Sequence, residues 1–123
     1  MTPTVERLLD PVHTWKCGRT GSVMLLRCPP NVEAEHARPG VPLLFLSELE
    51  VAPRERGRGY AGVLLRACTD WAQSAKTDLW LYVAPNGPAP RLSRTQLAEL
   101  YGRHGFRRVA PGSPDIEMVW RCG

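Results

Sequence analysis

The sequence predicts an α+β domain in which helices flank a mixed central β-sheet. Three observations carry this. The apolar segment LLFLSELEV (residues 43–51) leads through a glycine-rich turn into a stretch of helical periodicity. A second apolar run, LWLYVAP (79–85), is too short for a helix and rich in aromatics, and another periodic stretch follows it. The chain closes with two short segments, FRRVA and IEMVWRC, around the turn signal PGSPD, which read as an antiparallel hairpin. With 123 residues there is apolar surface for one core, so the expectation is one domain spanning residues 1–123.

Along the chain, residues 1–40 are weakly patterned. A short amphipathic start (Val5, Leu8, Leu9) leads through HTWKCGRTG, read as a loop, to a strand SVMLLRC and a Pro- and charge-rich connector, PPNVEAEHARPG. Patterning sharpens from Pro42. In LLFLSELEV, Leu49 and Val51 alternate with Glu48 and Glu50, which predicts one apolar and one acidic face, with the strand stopping at Ala52-Pro53. Ala61, Leu64, Leu65, Cys68, Ala72 and Ala75 then recur every three or four residues, predicting a helix over about 60–76 that packs on the sheet. After the strand at 79–85, NGPAPRL reads as a loop. Ser93 with Gln96 fits a capping box, and Leu97, Leu100, Tyr101 and His104 mark one face of a helix that Gly105 ends. The predicted order is strand, helix, strand, helix, strand, strand.

Composition narrows the function. No apolar run approaches the length that crosses a bilayer, and Glu6 and Asp10 stand where a signal peptide would be apolar, so a cytoplasmic protein without membrane contact is expected. Cys17, Cys28, Cys68 and Cys122 form no C-x-x-C, and His13, His36 and His104 have no metal-binding spacing, so reduced thiols and no metal are expected. A net charge of +4 favours anionic ligands but is too small to indicate nucleic acid.

The stretch RGRGYAG (56–62) carries the chemistry. A glycine-rich turn between a strand and a helix offers backbone N–H groups and the positive end of the helix dipole, a natural phosphate site. Read as G-x-G-x-x-G, it would bind a dinucleotide. That reading needs an acid at the end of the following strand, and Asp78 precedes that strand instead. A P-loop is excluded because no Gly-Lys-Ser/Thr follows.

The alternative accounts for more residues. V-A-P-R-E-R-G-R-G-Y-A-G-V-L-L (51–65) resembles the acyl-CoA-binding motif of the GNAT superfamily of N-acetyltransferases, with Val51, Pro53, Arg56, Gly59, Ala61, Leu64 and Leu65 at its fixed positions. The resemblance continues through LWLYVAPN, the place of the family's fifth strand, and through Leu100-Tyr101 and Gly105-Phe106, which match the family's L-Y-x-x-x-G-F. It implies a GNAT-like fold with an acyl-CoA-binding core at 41–123 and a shortened N-terminal part at 1–40. It also implies acetyl-CoA as acyl donor and direct transfer to an amine acceptor, small or on a protein.

By the same resemblance, the backbone at Arg56, Gly57, Arg58, Gly59, Tyr60 and Ala61 would hold the pyrophosphate. The fourth and fifth strands would part at a bulge, so that the pantetheine arm pairs near Leu49 and Val51. Asn86 and Ser93 are the candidates for the polar residue that relatives place before the last helix. Tyr101 would protonate the leaving thiolate, Glu50 or Glu48 would serve as base, and Tyr82, where some relatives carry Glu, would line the acceptor groove. Family members have a strand, two helices and two more strands before the motif, whereas here only fifty residues precede Val51. One or both acceptor-side helices must be shortened or absent. That leaves three alternatives: an open groove suited to a protein amine, a homodimer completing the wall, or a catalytically silent acyl-CoA-binding module.

Overall fold

Short runs of alternating apolar side chains build most of the sheet, and the helices cover what those runs leave bare. The computed structural model describes residues 5–8, 13–19, 21–50, 59–83, 93–113 and 116–123. In chain order the elements are β1 (Val5–Leu8), β2 (His13–Cys17), β3 (Gly21–Arg27), α1 (Pro30–His36), β4 (Leu43–Glu50), α2 (Tyr60–Ser74), β5 (Asp78–Val83), α3 (Arg94–Arg103), β6 (Arg107–Arg108) and β7 (Ile116–Trp120). The strands form one sheet in the order β1-β2-β3-β4-β5-β7-β6. Among the described strands only the β4–β5 pair is parallel; the others are antiparallel. The predicted mixed sheet with flanking helices is therefore the observed fold, and the closing hairpin is β6–β7.

The two faces of the sheet carry separate cores. On one face α2 and α3 pack over Val23 and Leu25 of β3, Leu46 of β4, Leu79, Leu81 and Val83 of β5 and Met118 of β7. Helix α2 buries the stripe Leu64, Leu65, Cys68 and Ala72 completely, each leucine contributing about 2 kcal/mol by removal from water. Ala75, expected on that stripe, is exposed, because the helix stops at Ser74. On the opposite face α1 seats Val32 against Cys28, Leu43 and Trp80.

Three expectations for the N-terminal third are corrected. The amphipathic start is strand β1, and HTWKC of the expected loop is strand β2, burying Trp15 and Cys17 on either side of exposed Lys16. Two inward positions were too few to reveal a period of two. The connector contains α1, seven residues with Pro30 in the first turn, Glu33 near the positive end of the dipole and His36 in the last turn. With Val32 as its one buried apolar side chain, it has no periodicity to detect. The expected loop NGPAPRL lies outside the described residues.

The carboxylate of Asp78, fully buried, ties three segments together. Arg38 grips it bidentately at 2.7 and 2.6 Å, Arg121 Nη1 donates at 3.0 Å, and the backbone N–H of Cys122 donates at 2.9 Å. Burial alone would raise the Asp78 pKa. The donors from Arg38, Cys122 and Arg121 together outweigh burial and bring it down to about 2. Because the folded pKa lies below the ordinary 3.8, this carboxylate stabilises the fold above about pH 4, and the contribution is lost as pH falls toward 2. The four cysteines are buried free thiols. Burial, with Glu33 nearby, pushes Cys28 up to about 11, and burial raises Cys68 as well, so both stay protonated and unreactive at neutral pH.

Replacing Asp78 by Asn leaves two guanidinium groups without their carboxylate. Asp78→Asn is expected to lower stability by about 3 kcal/mol at pH 7 and to flatten the loss of stability between pH 4 and 2, read by urea denaturation across that range.

Candidate active site

The sheet parts in its middle. β4 and β5 are in register only at Leu43–Asp78, Leu44–Leu79 and Phe45–Trp80. Beyond this, β4 runs on to Glu50 and β5 to Val83 without a shared ladder, each keeping its outer partner: Glu50 pairs with Ser22 of β3, and Val83 with Ile116 of β7. Among the described residues, the inner edge of β4 over residues 46–50 therefore turns backbone N–H and C=O groups into the gap with no strand beside them. Such an edge can take an extended amide-bearing ligand as an added strand.

A bulge in β4 accompanies the parting. Three steps along β4, from Ser47 to Glu50, span only two steps along β3, from Met24 to Ser22. The phase of the strand shifts there: Leu46 and Leu49 both pack into the α2-side core, while Ser47 and Glu50 both share the α1 face with their β3 partners. Strict alternation, the expectation from sequence, would have put positions three apart on opposite faces. Tyr82 stands on the α1 face as well, two residues past Trp80, and is 45% exposed. Glu50 and Tyr82 thus flank the gap on the same face.

The start of α2 is set by Gly59, its N-cap, with φ 78° and ψ 11°. This left-handed conformation is one that side chains with a Cβ resist. A Cβ built there meets no atom of the described residues within 4 Å. No side chain caps the first turn and it contains no acid, which leaves its N–H groups and dipole to an anion from outside the helix. Val51, Arg56, Gly57 and Arg58 lie outside the described residues, as do Asn86 and the side chain of Glu48. Tyr60 and Ala61 form the first residues of α2, partly buried.

Helix α3 brings Tyr101 to the α2 face. Its ring is 8% exposed and packs edge-on against Phe106 at 5.7 Å. Burial pushes its phenol up to about 12, so it keeps its proton throughout the neutral range. The predicted capping box is present: Ser93 Oγ accepts from Gln96 N at 3.1 Å, and Gln96 Oε1 accepts from Ser93 N at 2.9 Å. The Ser93 hydroxyl hydrogen is not used by the cap and can donate elsewhere. His104, read from sequence as the last residue of the helical stripe, is the C-cap of α3. Its Nε2 would lie 3.6 Å from a Cβ on Gly62, which puts the ring against the first turn of α2. Burial, then Arg103 and Arg66, lowers its pKa and keeps it neutral.

One polar cluster escaped the sequence reading. Glu117 of β7, the register partner of Tyr82, receives Trp80 Nε1 on Oε2 at 3.1 Å, and His36 Nε2 lies 3.2 Å from the same oxygen. These residues are far apart in sequence and carry no motif. Among the described residues no group of three His, Cys, Asp or Glu is arranged for a metal ion, and no helix is long and apolar enough to cross a membrane.

Comparison with known proteins bears on this geometry. The profile of the acetyltransferase (GNAT) family matches residues 20–106. No curated protein matches the chain by sequence. Among solved structures, NAA60 of Arabidopsis thaliana, in complex with a bisubstrate analogue, aligns with a TM-score of 0.65 at 17% identity, over 91% of this chain and 76% of that one. An IAA acetyltransferase from Bacillus cereus aligns at 0.64 and 16% identity, over 98% and 99%. A GNAT family acetyltransferase from Elizabethkingia anophelis with acetyl-CoA bound aligns at 0.64 and 12% identity, over 97% of each chain. At these identities the likeness is one of fold.

The glycine at the helix start separates conformational strain from crowding. Gly59→Ala is expected to cost about 1 kcal/mol for the left-handed backbone alone. Gly105→Ala, at φ 93° and with a Cβ 3.1 Å from Trp120 Cδ1 and Nε1, should cost distinctly more. Urea titration of both variants checks the order.

Proposed function

The chain belongs to the acetyltransferase (GNAT) family, and on that premise we propose that it is an acetyl-CoA-dependent N-acetyltransferase that acetylates an amine acceptor directly. The observation that carries this is the parting of β4 from β5, with the Tyr101 phenol on the α2 face and Glu50 and Tyr82 on the α1 face. Donor and acceptor can then approach from opposite sides of the sheet and meet in the gap. The neighbour with acetyl-CoA bound supports the choice of donor.

The residues fit that donor, which when bound supplies an acetyl thioester. The uncapped start of α2 at Gly59, Tyr60 and Ala61, with residues 56–58 ahead of it, suits a pyrophosphate. The inner edge of β4 at Leu49, with Val51 next but one in sequence, suits the amides of a pantetheine arm. A backbone N–H on that edge can polarise a thioester carbonyl. Tyr101 holds a proton at its phenolic oxygen for the departing sulfur. Burial that raises the phenol also raises the basicity of a thiolate in the same apolar surroundings, so the transfer is not penalised by Tyr101's high pKa alone. Glu50 is the base that takes the proton of the amine, with Glu48 the second candidate, and Ser93 or Asn86 donates to the cofactor near the start of α3.

The sheet itself favours a second reading. β1 and β2 are joined by residues 9–12 alone, which leaves no room for two helices between them; among the described residues of the N-terminal part the one helix, α1, lies between β3 and β4. An acceptor side without those helices suits a protein amine or completion by a second copy. It equally suits a silent module that binds acyl-CoA without transfer.

Calorimetric titration with acetyl-CoA, with NADH in parallel, followed by a thiol-release assay, tests these readings. Acetyl-CoA alone is expected to bind. Tyr101→Phe should lower kcat roughly 100-fold with acetyl-CoA affinity unchanged. Binding without turnover in the unaltered protein would favour the silent module, and binding of neither ligand would remove the acetyltransferase proposal.

A further inference from the structure

Past the last β4–β5 register pair, the α1 face carries a hydrogen-bonded side-chain group for which no role has been given. Trp80 stands at that last pair, with its ring 5.2 Å from Phe45. Its indole N–H donates to Glu117 Oε2 at 3.1 Å, and His36 Nε2 approaches the same oxygen at 3.2 Å. His36 is itself 8% exposed in its side chain, and its carbonyl receives Arg121 Nη1 at 2.8 Å, so the end of α1 is held in place beside the carboxylate. Glu117 is 38% exposed in its side chain and sits in register with Tyr82, whose ring is 45% exposed.

Each part of this arrangement has a physical consequence. The indole N–H of Trp80, joined by His36 in its Nε2–H tautomer, holds one oxygen and fixes the carboxylate's orientation, which an exposed Glu on a strand would not otherwise keep. A preoriented carboxylate beside an exposed aromatic ring is a site for an ammonium group, which gains a charge-assisted hydrogen bond from the one and a cation–π contact from the other. The location is also specific: Tyr82 borders the gap on the face that carries Glu50, opposite Tyr101, and Glu117 stands directly behind it on β7.

We propose that Glu117 and Tyr82 form the recognition site for the acceptor, that the acceptor is an amine that arrives protonated, and that Trp80 and His36 are positioning residues for the Glu117 carboxylate. This rests on the acetyltransferase reading and deepens it. The ammonium docks on Glu117 and Tyr82, and its proton is lost to the base before nitrogen attacks the thioester carbon. Neutral aromatic amines, which offer no positive charge, gain nothing from Glu117.

The test uses binding, so that it does not depend on turnover. The full chain, saturated with CoA, is titrated calorimetrically with tyramine, spermidine and a tripeptide amide with a free N-terminus, and with 4-methylaniline as the uncharged control. At least one of the three ammonium probes is expected to bind, with affinity reduced about tenfold in Glu117→Gln and in Tyr82→Ala. His36→Ala should give a smaller reduction. Acetyl-CoA affinity and the weak binding of 4-methylaniline should not change. Gln keeps an acceptor for Trp80 Nε1, so the fold of Glu117→Gln is expected to survive, with thermal unfolding as the check. Failure of all three ammonium probes to bind, or equal binding to Glu117→Gln, overturns the assignment. Failure of acetyl-CoA to bind the unaltered protein counts instead against the acetyltransferase reading.

Discussion

Three register pairs between β4 and β5 hold the two halves of this sheet together, and almost everything of interest follows from there being no more. Asp78 belongs to the first of those pairs. Its N–H donates to Pro42 O at 2.9 Å, and its carboxylate gathers Arg38, Arg121 and the backbone of Cys122. A short parallel ladder would be a weak hinge by itself. Closing its base with a buried ion-pair network lets the strands separate above without the halves coming apart. The opening is thus a consequence of where stability is concentrated.

Separation of the strands gives the sheet two chemically different sides at one point. On the α2 side Tyr101 is buried and protonated, while the α1 side carries Glu50, Glu117 and the exposed ring of Tyr82. The bulge at residues 47–50 is the device that assigns Leu49 to the first side and Glu50 to the second. Without that extra residue the acidic end of β4 would change faces. A reaction between an apolar-anchored thioester and a polar amine needs such a boundary, and a continuous sheet would not supply it.

The start of α2 contributes the remaining element. An uncapped first turn with no acid, entered through a left-handed glycine, stays electrostatically unfinished until an anion occupies it. His104, neutral against Gly62, adds a second hydrogen-bonding group beside that turn and links the end of α3 to the start of α2. The two helices on this face therefore meet at the first turn of α2.

Much of this was legible in the residues alone. Helix α2, helix α3 with its Ser93–Gln96 capping box, the hairpin β6–β7 and the mixed sheet rest on local signals: period, caps and turn residues. The glycine that starts α2 and the position of Tyr101 on α3 were carried by contiguous motifs. β2 and α1 were not legible, because each buries only one or two side chains and acquires its form from neighbours in the sheet and core. The tertiary structure alone decided the phase of β4, since a bulge depends on the register with β3. It alone brought His36, Trp80, Tyr82 and Glu117 together, because contacts between residues so distant in sequence are made by strand order, which no local period encodes.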